Sequence, residues 1–374
     1  MAVLFMDGFD CYADTTELWE AGWSPHVSST GATLSTTAGK NGGGALQCTG
    51  SLSNIGWSHA IPYGQGHDLQ DNPSATMIVQ FWIKVTAFAA SSGSTDYFLQ
   101  LQNNTRVMIR LQMRYDGTID IDYYGGVSVN NGATSSVLFT EDTWHFCELK
   151  TVCSSAIAAF DGSFEFRIDG TDVYSASGIK MYPYPQSGSD LILQPNIIRL
   201  TNGDQTTVVY DDVVILDGTG ADANLNDFTG ARYIDTINVE ADGGTVDWTR
   251  NTGTNDWEMV DDTANAADDD TTYVSSNTVG QEGRYNLAAP SNTDDEVHAV
   301  QIKARMKKDD AGTRTVRGVM NVAAGTEEVT FDTVGVTTEY LWHDLGVRET
   351  NDTGGTAWDV AEITNTEIGV EIVS

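Results

Sequence analysis

The sequence predicts an all-β protein, folded as two β-sandwiches in series. Segments in which apolar and polar residues alternate with a period of two recur along the whole chain, as in half-buried strands. No amphipathic helical period with capping residues interrupts them, so any helix is expected to be a short turn. The 374 residues include 37 Gly and only 7 Pro, and turns containing Gly, Asp or Asn separate the segments.

Strands in the first half of the chain are predicted from this alternation. Residues 76–85 place one row of apolar side chains on a single face, which is the clearest example. Two hairpins are predicted, one spanning 107–123 and one spanning 164–174, because in each an Asp-Gly turn separates two alternating runs. Further strands are predicted at 144–152, 197–200 and 208–216.

The second half continues the same pattern. Residues 218–231, between the halves, are rich in Gly, Asp and Asn and are predicted to form a linker. The predicted domains are therefore 1–217 and 232–374. Strands of the second domain are predicted at 233–240, 297–306, 315–322, 339–345 and 367–373. In the strand at 297–306, the inward side chains are expected to be His298, Val300, Ile302, Ala304 and Met306.

The charge of the chain excludes several kinds of partner. It has 53 acidic and 19 basic residues, a formal net charge of −34. Residues 1–217 carry 23 acidic and 9 basic side chains, and residues 218–374 carry 30 and 10. Because such a charge repels phosphate groups, neither nucleic acid nor an anionic membrane surface is an expected partner.

Targeting signals and a disulfide framework are not expected either. The apolar start is too short for a signal-peptide core, and no basic residue precedes Lys40, so we expect synthesis in a cytoplasm without cleavage. No stretch reaches the roughly 18 uncharged apolar residues of a membrane span. The four cysteines are interpreted as free, buried thiols, with pairing of Cys147 and Cys153 as the alternative.

Motifs for covalent, phosphate or zinc chemistry are missing from the sequence. The six histidines form no HExxH pair, and no cysteines stand at zinc-ligand spacing. There is no G-x-S-x-G elbow. The Gly39-Lys40 pair lacks both the first glycine and the hydroxyl residue of a phosphate loop. We therefore assign no catalytic residue and no metal ligand.

Acidic clusters are the remaining candidates for a metal, because Ca²⁺ prefers carboxylate oxygens. None of the clusters has the spacing of a known calcium loop, so the sequence favours solvated loops and leaves calcium as an unassigned alternative. The clusters lie at 211–212, 261–262, 268–270 and 294–296.

One aromatic segment suggests a binding loop. Trp57, His59, Tyr63 and His67 mix rings and imidazoles on a Gly-containing stretch. Sugars bind by stacking on such rings with hydrogen bonds around them, so this stretch is a candidate glycan site. The alternative, which the sequence favours, is that these rings fill the sandwich core and hold a long loop.

Five motifs follow one another in the first half of the chain. They are Asp7-Gly-Phe-Asp10, Gln80-Phe-Trp-Ile-Lys84, Trp144-His-Phe-Cys-Glu-Leu149, Phe164-Glu-Phe-Arg-Ile-Asp-Gly170 and Tyr210-Asp-Asp-Val-Val-Ile-Leu-Asp217. In their order and spacing they resemble the concanavalin A-like (laminin G-like) jelly-roll domains of structural proteins in tailed bacteriophages. The resemblance covers residues 1–217 and implies a jelly-roll sandwich.

The second half resembles a β domain also found in phage tail and virion proteins. The similarity lies in residues 255–261, 268–274 and 297–314. Together the two halves imply a virion component such as a tail-associated, fibre or decoration protein. Its expected location is the virion, and its expected partners are other virion proteins and further copies of the same chain, since viral assemblies are commonly symmetric oligomers.

An enzymatic role for the jelly roll would require a catalytic pair of acids. Relatives that resemble laminarinases carry it as E-x-D-x-x-E on one strand. The only E-x-D here is Glu240-Ala-Asp242, which lies outside the jelly-roll half and has Thr245 in the sixth position. We therefore expect a non-enzymatic structural protein, with a lectin-like receptor-binding tail protein that recognises host-surface glycan as the alternative.

Overall fold

The structure is a computed structural model of the chain. It describes residues 3–26, 31–49, 56–60, 76–88, 97–103, 106–124, 129–131, 139–156, 159–182, 195–202, 207–218, 223–262, 266–292, 296–322, 327–351 and 357–374.

The fold is all-β, as predicted, and divides into two compact units. The jelly-roll unit consists of residues 2–9 and 22–234, and the C-terminal unit consists of residues 10–21 and 235–374. Helices in the described residues are short, which confirms the expectation: α1 (Thr15–Glu20) has six residues and α2 (Val360–Thr364) has five. No helix in the described part of the chain is long and apolar enough to cross a membrane.

Strands of the jelly-roll unit belong to two antiparallel sheets. They are β1 (Val3–Asp7), β2 (Trp23–His26), β3 (Ala32–Ser35), β4 (Ala45–Thr49), β5 (Gly56–Ala60), β6 (Thr76–Ala87), β7 (Tyr97–Asn103), β8 (Arg106–Met113), β9 (Ile119–Tyr124), β10 (Val129–Asn131), β11 (Trp144–Val152), β12 (Gly162–Ile168), β13 (Thr171–Ile179), β14 (Ile197–Thr201) and β15 (Thr207–Leu216). The eight-stranded sheet has the order β13-β12-β11-β6-β15-β4-β3, with β1 on β15. The seven-stranded sheet has the order β10-β9-β8-β7-β14-β5-β2.

The two sheets of the jelly-roll unit enclose an aromatic core. Phe98 on β7 lies 6.4 Å from Phe166 on β12, between ring centroids, and both rings are fully buried. Tyr210 on β15 places its hydroxyl 2.8 Å from the carbonyl oxygen of Phe98 and 2.6 Å from that of Thr201 on β14. The hydroxyl thus bonds one sheet to the other, as a buried tyrosine requires.

Both predicted hairpins are confirmed. In the first, β8 pairs with β9 so that Arg110 lies opposite Asp122. In the second, β12 pairs with β13, and Asp169 and Gly170 adopt the positive φ angles, +49° and +77°, that a tight hairpin turn needs. The local sequence determines these turns because few residues tolerate such backbone angles.

The first motif of the jelly roll has a structural explanation. Asp7, which is 2% exposed, accepts hydrogen bonds from the backbone N–H of Phe9 (2.9 Å) and the indole N–H of Trp23 (3.0 Å). Phe9 adopts a φ of +60°, and the Asp7 carboxylate holds this unusual turn. The carboxylate therefore orients both buried rings at the end of β1.

The C-terminal unit forms a smaller β-sandwich. Its strands are β16 (Val239–Val246), β17 (Thr249–Arg250), β18 (Val274–Ser275), β19 (Glu282–Leu287), β20 (Val300–Met306), β21 (Thr315–Val322), β22 (Glu327–Gly335), β23 (Leu341–Arg348) and β24 (Glu367–Ile372). A five-stranded sheet has the order β16-β19-β24-β21-β22, while β20 pairs with β23 and β17 with β18. The β20–β23 pair packs on the sheet at Gly318, where an added Cβ would lie 3.2 Å from Leu345 and 3.3 Å from Ile302.

The predicted strand at 233–240 is wrong in most of its length, since β16 begins only at Val239. The backbone N–H of Ile234 instead donates to the Asp212 carboxylate at 3.0 Å within the jelly-roll unit. The compact units accordingly divide at residue 235, and the segment predicted as a linker, 218–231, groups with the jelly roll.

Residues 10–21 belong to the C-terminal unit although they precede most of the jelly roll. Helix α1 is capped by the Asp14 carboxylate, which accepts from the N–H of Thr16 at 2.7 Å. Arg305 on β20 donates to Glu20 of this helix at 2.8 Å and to Asp269 at 2.7 Å. This ion-pair network joins an N-terminal segment to strands some 285 residues later in the chain.

The cysteines are free, as predicted, and Cys48, Cys147 and Cys153 are buried. Burial raises the pKa of the Cys153 thiol to about 12, so this sulfur remains protonated and behaves as a small apolar group.

Candidate functional site

The predicted glycan loop begins on β5, and its described residues face the sandwich core. Trp57 is 2% exposed and His59 is 8% exposed. The His59 ring stacks on Phe5, with 4.1 Å between ring centroids, and meets Trp23 edge-on at 5.0 Å. A ring that stacks on a sugar needs an exposed face, so these two rings serve packing.

Tyr63 and His67, the other two residues of this predicted loop, lie outside the described residues.

Ser58 lies between Trp57 and His59 on β5. Its side chain faces the opposite way and belongs to a row of polar side chains. Residues of adjacent strands that lie directly opposite each other share one face of a sheet. On the outward face of the seven-stranded sheet, the register aligns six polar residues across β9, β8, β7, β14, β5 and β2, which we term the polar row. They are Asp122, Arg110, Gln100, Arg199, Ser58 and Ser24.

Side chains of the polar row hydrogen-bond to one another. Arg110 on β8 lies 2.8 Å from Asp122 on β9, and Gln112 also donates to Asp122 at 2.9 Å. Arg199 on β14 donates to the amide oxygen of Gln100 on β7 at 3.5 Å. These contacts cross the β8–β9 and the β7–β14 boundaries, so they orient planar groups within each of these two strand pairs.

Burial of the polar row is uneven: Gln100 and Asp122 are buried, whereas the Ser24 end is exposed. Gln100 is 3% exposed and Asp122 is 4% exposed. The Arg110 side chain retains 29% of its exposure, and Ser24 is exposed. Buried polar side chains on a face that does not form the core cost free energy unless hydrogen bonds satisfy them, which the cross-strand contacts do.

The charge of this sheet differs from that of the whole chain. Of the nine basic residues in 1–217, four lie on β8, on the turn after it or on β14: Arg106, Arg110, Arg114 and Arg199. Arg114 pairs with Asp120 at 2.6 Å, its side chain 42% exposed. Asp116, Asp120 and Asp122 lie on the same hairpin as three of these arginines, so this part of a strongly acidic protein is nearly balanced in charge.

Alternation along β8 places Arg110 and Gln112 on one face of the strand but does not place them in a site. The missing information was the order of the strands, since Gln100 and Arg199 are 99 residues apart in the chain. No local motif marks Arg199 as a neighbour of Gln100.

The outward face of the eight-stranded sheet carries a second polar cluster, which residues 226–234 cover. We term these residues the covering segment. Glu148 on β11 accepts from Gln80 (2.9 Å), from the N–H of Thr229 (3.0 Å) and from the N–H of Gly230 (3.2 Å). Burial raises the pKa of Glu148 above its usual value, and these hydrogen bonds act in the opposite direction. The indole of Trp82 donates to the carbonyl of Arg232 at 2.6 Å.

One histidine pairs with a carboxylate in the manner of a catalytic dyad. His145 Nδ1 lies 2.7 Å from Asp169, while its Nε2 accepts from the backbone N–H of Thr140 at 3.1 Å. Both ring nitrogens are therefore engaged within the chain. A general base needs a nitrogen that reaches the substrate, so this pair serves the hairpin turn instead.

The acidic clusters considered for calcium make contacts within the chain. Asp211 accepts from the N–H of Lys40 at 2.6 Å, and Asp268 accepts from the N–H of Thr272 at 3.0 Å. Asp270 pairs with Lys307 at 2.5 Å. Within the described ranges, no group of three or more His, Cys, Asp or Glu side chains is arranged to hold a metal ion. Residues 294 and 295 lie outside those ranges.

Comparison with known proteins concerns the fold alone. No protein-family model matches the chain, and no curated protein matches it. The endo-β-1,4-glucuronan lyase of the fungus Trichoderma reesei is a similar solved structure, with 14% identity and a TM-score of 0.41 over 57% of this chain and 95% of the lyase.

Two further solved structures are similar at comparable levels. The PL-14 alginate lyase of Aplysia kurodai has 11% identity and a TM-score of 0.40, over 58% of this chain and 100% of that chain. The globular domain of T. cruzi calreticulin has 15% identity and a TM-score of 0.37, over 57% and 88%. Such likeness is to β-sandwich folds and assigns no activity to this chain.

Proposed function

We propose that the chain is a non-enzymatic structural component of a tailed-phage virion, tail-associated, fibre or decoration, that acts through contacts with other virion proteins and with copies of itself. The supporting observation is that polar residues of the motifs that resemble phage jelly rolls make contacts within the chain. These residues are Asp7, Glu148, Asp169, Asp211 and Asp212.

Each of these carboxylates accepts a backbone N–H. Asp169, for example, accepts from Phe146 at 2.9 Å, and Asp212 accepts from Ile234 at 3.0 Å. Hydrogen bonds of this kind fix loops and turns to strands. A catalytic acid or base must instead present an oxygen to the substrate. The motifs thus support a rigid scaffold, the property that a particle component needs.

The test is mass spectrometry of purified particles from the phage whose genome encodes this chain. We expect the chain at a constant copy number relative to the major capsid protein across independent preparations. Particles assembled without the gene product should lose infectivity or a morphological feature, and complementation should restore it. Intact, infectious wild-type particles that lack the chain would contradict virion membership.

A second candidate function is recognition of host-surface glycan, which the polar row favours. Hydroxyl-rich ligands bind through planar amide, guanidinium and carboxylate groups held in place by their neighbours. A glycan array should show binding that Arg199→Ala weakens and Arg167→Ala, a guanidinium change on the other sheet, leaves unchanged. Release of shortened sugar chains by the purified protein would instead show an enzyme.

A further inference from the structure

We infer that β13, the outer strand of the eight-stranded sheet, pairs with β13 of a second copy of the chain, so that the two sheets become one continuous sheet about a two-fold axis. This inference rests on the proposed function, because it names the surface through which the chain contacts copies of itself. Its observations are the open edge of β13 and two opposite charges beside it that form no ion pair in the described part of the chain.

The outer strands of the described sheets are protected from pairing to different degrees. A strand edge presents unpaired N–H and C=O groups, and proteins protect it with proline, charges, short strands or a covering segment. Here β2 contains Pro25, β3 has four residues and β10 has three. The 3-10 helix Trp257–Met259 lies against β16, bonded to Asp242 at 2.6 Å. Strand β22 carries Glu327, Glu328 and Asp332.

Strand β13 lacks these features. Among the described strands it pairs with β12 alone, and it has nine residues, no proline and one charged residue, Asp172. Its pairing with β12 skips Val173 and Gly178, two bulges that limit how far a partner strand can extend. Between the bulges, Tyr174–Ser177 pairs regularly, so a partner strand is centred on these residues.

Two-fold symmetry fixes which residues meet. Residues directly opposite each other in an antiparallel pair are either both hydrogen-bonded or both not, so in a symmetric pair one residue lies opposite its own copy. With the axis at Ala176, Asp172 and Lys180 lie four positions from it in opposite directions. Asp172 of each copy then lies beside Lys180 of the other, and the contact occurs twice.

Both charges are available for this contact. The Asp172 carboxylate accepts from the Ser175 hydroxyl at 3.1 Å, and the Lys180 ammonium lies 4.7 Å from the centre of the Phe160 ring. Neither charge forms an ion pair with any described residue. Residues 171–180 contain one acidic and one basic residue, so this edge is neutral in a chain of net charge −34. Two acidic copies therefore repel each other less along this edge than elsewhere.

An exposed aromatic ring lies next to the same edge. Phe160 is 66% exposed, and its carbonyl oxygen would lie 3.8 Å from a Cβ added at Gly178. With the axis at Ala176, Gly178 lies opposite Tyr174 of the other copy, and its missing side chain leaves room for that ring. Pairing thus removes apolar surface of Phe160 and Tyr174 from water, which favours association.

The experiment is sedimentation equilibrium of the full-length chain over a wide range of concentration, with charge-reversal variants. We expect a reversible monomer–dimer equilibrium for the wild type. Asp172→Lys and Lys180→Asp each place like charges opposite each other twice, so each should raise the dimer dissociation constant at least about tenfold. The double variant, which exchanges the two charges, should restore it to within about threefold. Asp227→Lys, at a side chain 66% exposed, is the matched control and should leave the constant unchanged.

Disulfide trapping tests the position of the axis independently. Two cysteines directly opposite each other are close enough to form a disulfide. Mild oxidation of Ala176→Cys should therefore give a covalent dimer of the full-length chain. Thr33→Cys, at an exposed position on the other outer strand of the same sheet, is the matched control and should stay monomeric. Oxidised wild type gives the background from the partly buried Cys11.

The outcomes separate this inference from the proposed function. A monomer at every concentration, with no covalent dimer of Ala176→Cys, would overturn the inference and leave virion membership to the mass spectrometry of particles. A dimer that neither charge reversal weakens would overturn β13 as the contact. Weakening that the double variant does not restore would overturn the two-fold register. Particles in which Ala176→Cys is linked to a different protein would overturn a second copy as the partner.

Discussion

The two outward faces of the jelly roll satisfy their polar side chains in different ways. On the eight-stranded sheet, Glu148 and Trp82 hydrogen-bond to the backbone of the covering segment, at Thr229, Gly230 and Arg232. On the seven-stranded sheet, the side chains of the polar row hydrogen-bond to one another across strands.

This difference separates polar side chains that stabilise the fold from polar side chains that can bind a ligand. A carboxylate bonded to two backbone N–H groups fixes a segment of the chain, and its removal leaves those donors unsatisfied. A ladder of side chains fixes only its own members, so its chemistry can serve a ligand. We therefore expect mutations on the eight-stranded face to reduce stability and Arg199→Ala, within the polar row, to reduce binding.

The largest expected effect is on the covered face. Trp82→Ala removes the hydrogen bond to the Arg232 carbonyl, the contact with Phe146 at 5.2 Å and the cation–π contact with Lys40 at 4.6 Å. We expect the free energy of unfolding to fall by about 3 kcal/mol, in the range of large-to-small aromatic changes. Denaturant unfolding measures it. Trp19→Ala, at a tryptophan 63% exposed, is the control and should cost less than about 0.5 kcal/mol.

Asp122→Ala tests whether the polar row also contributes to stability. The change removes the acceptor of both Arg110 and Gln112. We expect a loss of about 2 kcal/mol in the free energy of unfolding, because Gln112 is buried and keeps an unsatisfied donor. Asp172→Ala, at an exposed hairpin position, is the control. A loss equal to that of Trp82→Ala would show that polar side chains on both faces contribute equally to the free energy of unfolding.

Glu148→Gln should change how stability depends on pH. Burial raises the pKa of Glu148 above its ordinary value of 4.5, so the folded protein binds this proton more tightly than the unfolded chain. Its contribution to stability is therefore present below pH 4.5 and is lost as the pH rises through the folded-state pKa. Unfolding curves from pH 4 to 7 should show the wild type losing stability relative to Glu148→Gln. If the wild type instead gains stability relative to Glu148→Gln as the pH rises, the hydrogen bonds lower the pKa of Glu148 more than burial raises it.

The smallest effect is expected at the edge of the covering segment. Lys150 pairs with Asp227 at 2.9 Å, but the Asp227 side chain is 66% exposed. Exposed ion pairs contribute little, so Lys150→Ala should change the free energy of unfolding by less than about 0.5 kcal/mol. The melting temperatures of Lys150→Ala and Trp82→Ala can be compared by thermal shift. The comparison would show whether the buried contacts, rather than this ion pair, hold the covering segment on the sheet.

Much of the strand pattern could be predicted, because strands and tight turns depend on nearby residues. The hairpin at 164–174 follows from alternation and from an Asp-Gly turn with positive φ angles. The strand predicted at 144–152 coincides with β11. The strand predicted at 233–240 is wrong in its first six residues, because the N–H of Ile234 bonds to Asp212, a contact that alternation does not report.

The candidate site depends on strand order and could not be predicted as the fold could. Trp57 and His59 face the core on β5, which is the packing role that the sequence favoured over a glycan site. The residue between them, Ser58, reaches the outward face because successive side chains of a strand point to opposite sides.

By itself the sequence determined the all-β class, the hairpins and the short helices, since these depend on alternation, turn residues and caps within a few residues of one another. Only the tertiary structure decided that residues 10–21 join the C-terminal unit and that Arg110, Gln100 and Arg199 lie side by side. The physical reason is that strand order is chosen by which apolar faces bury each other best. That choice brings together residues about 100 positions apart without leaving a mark in the local sequence.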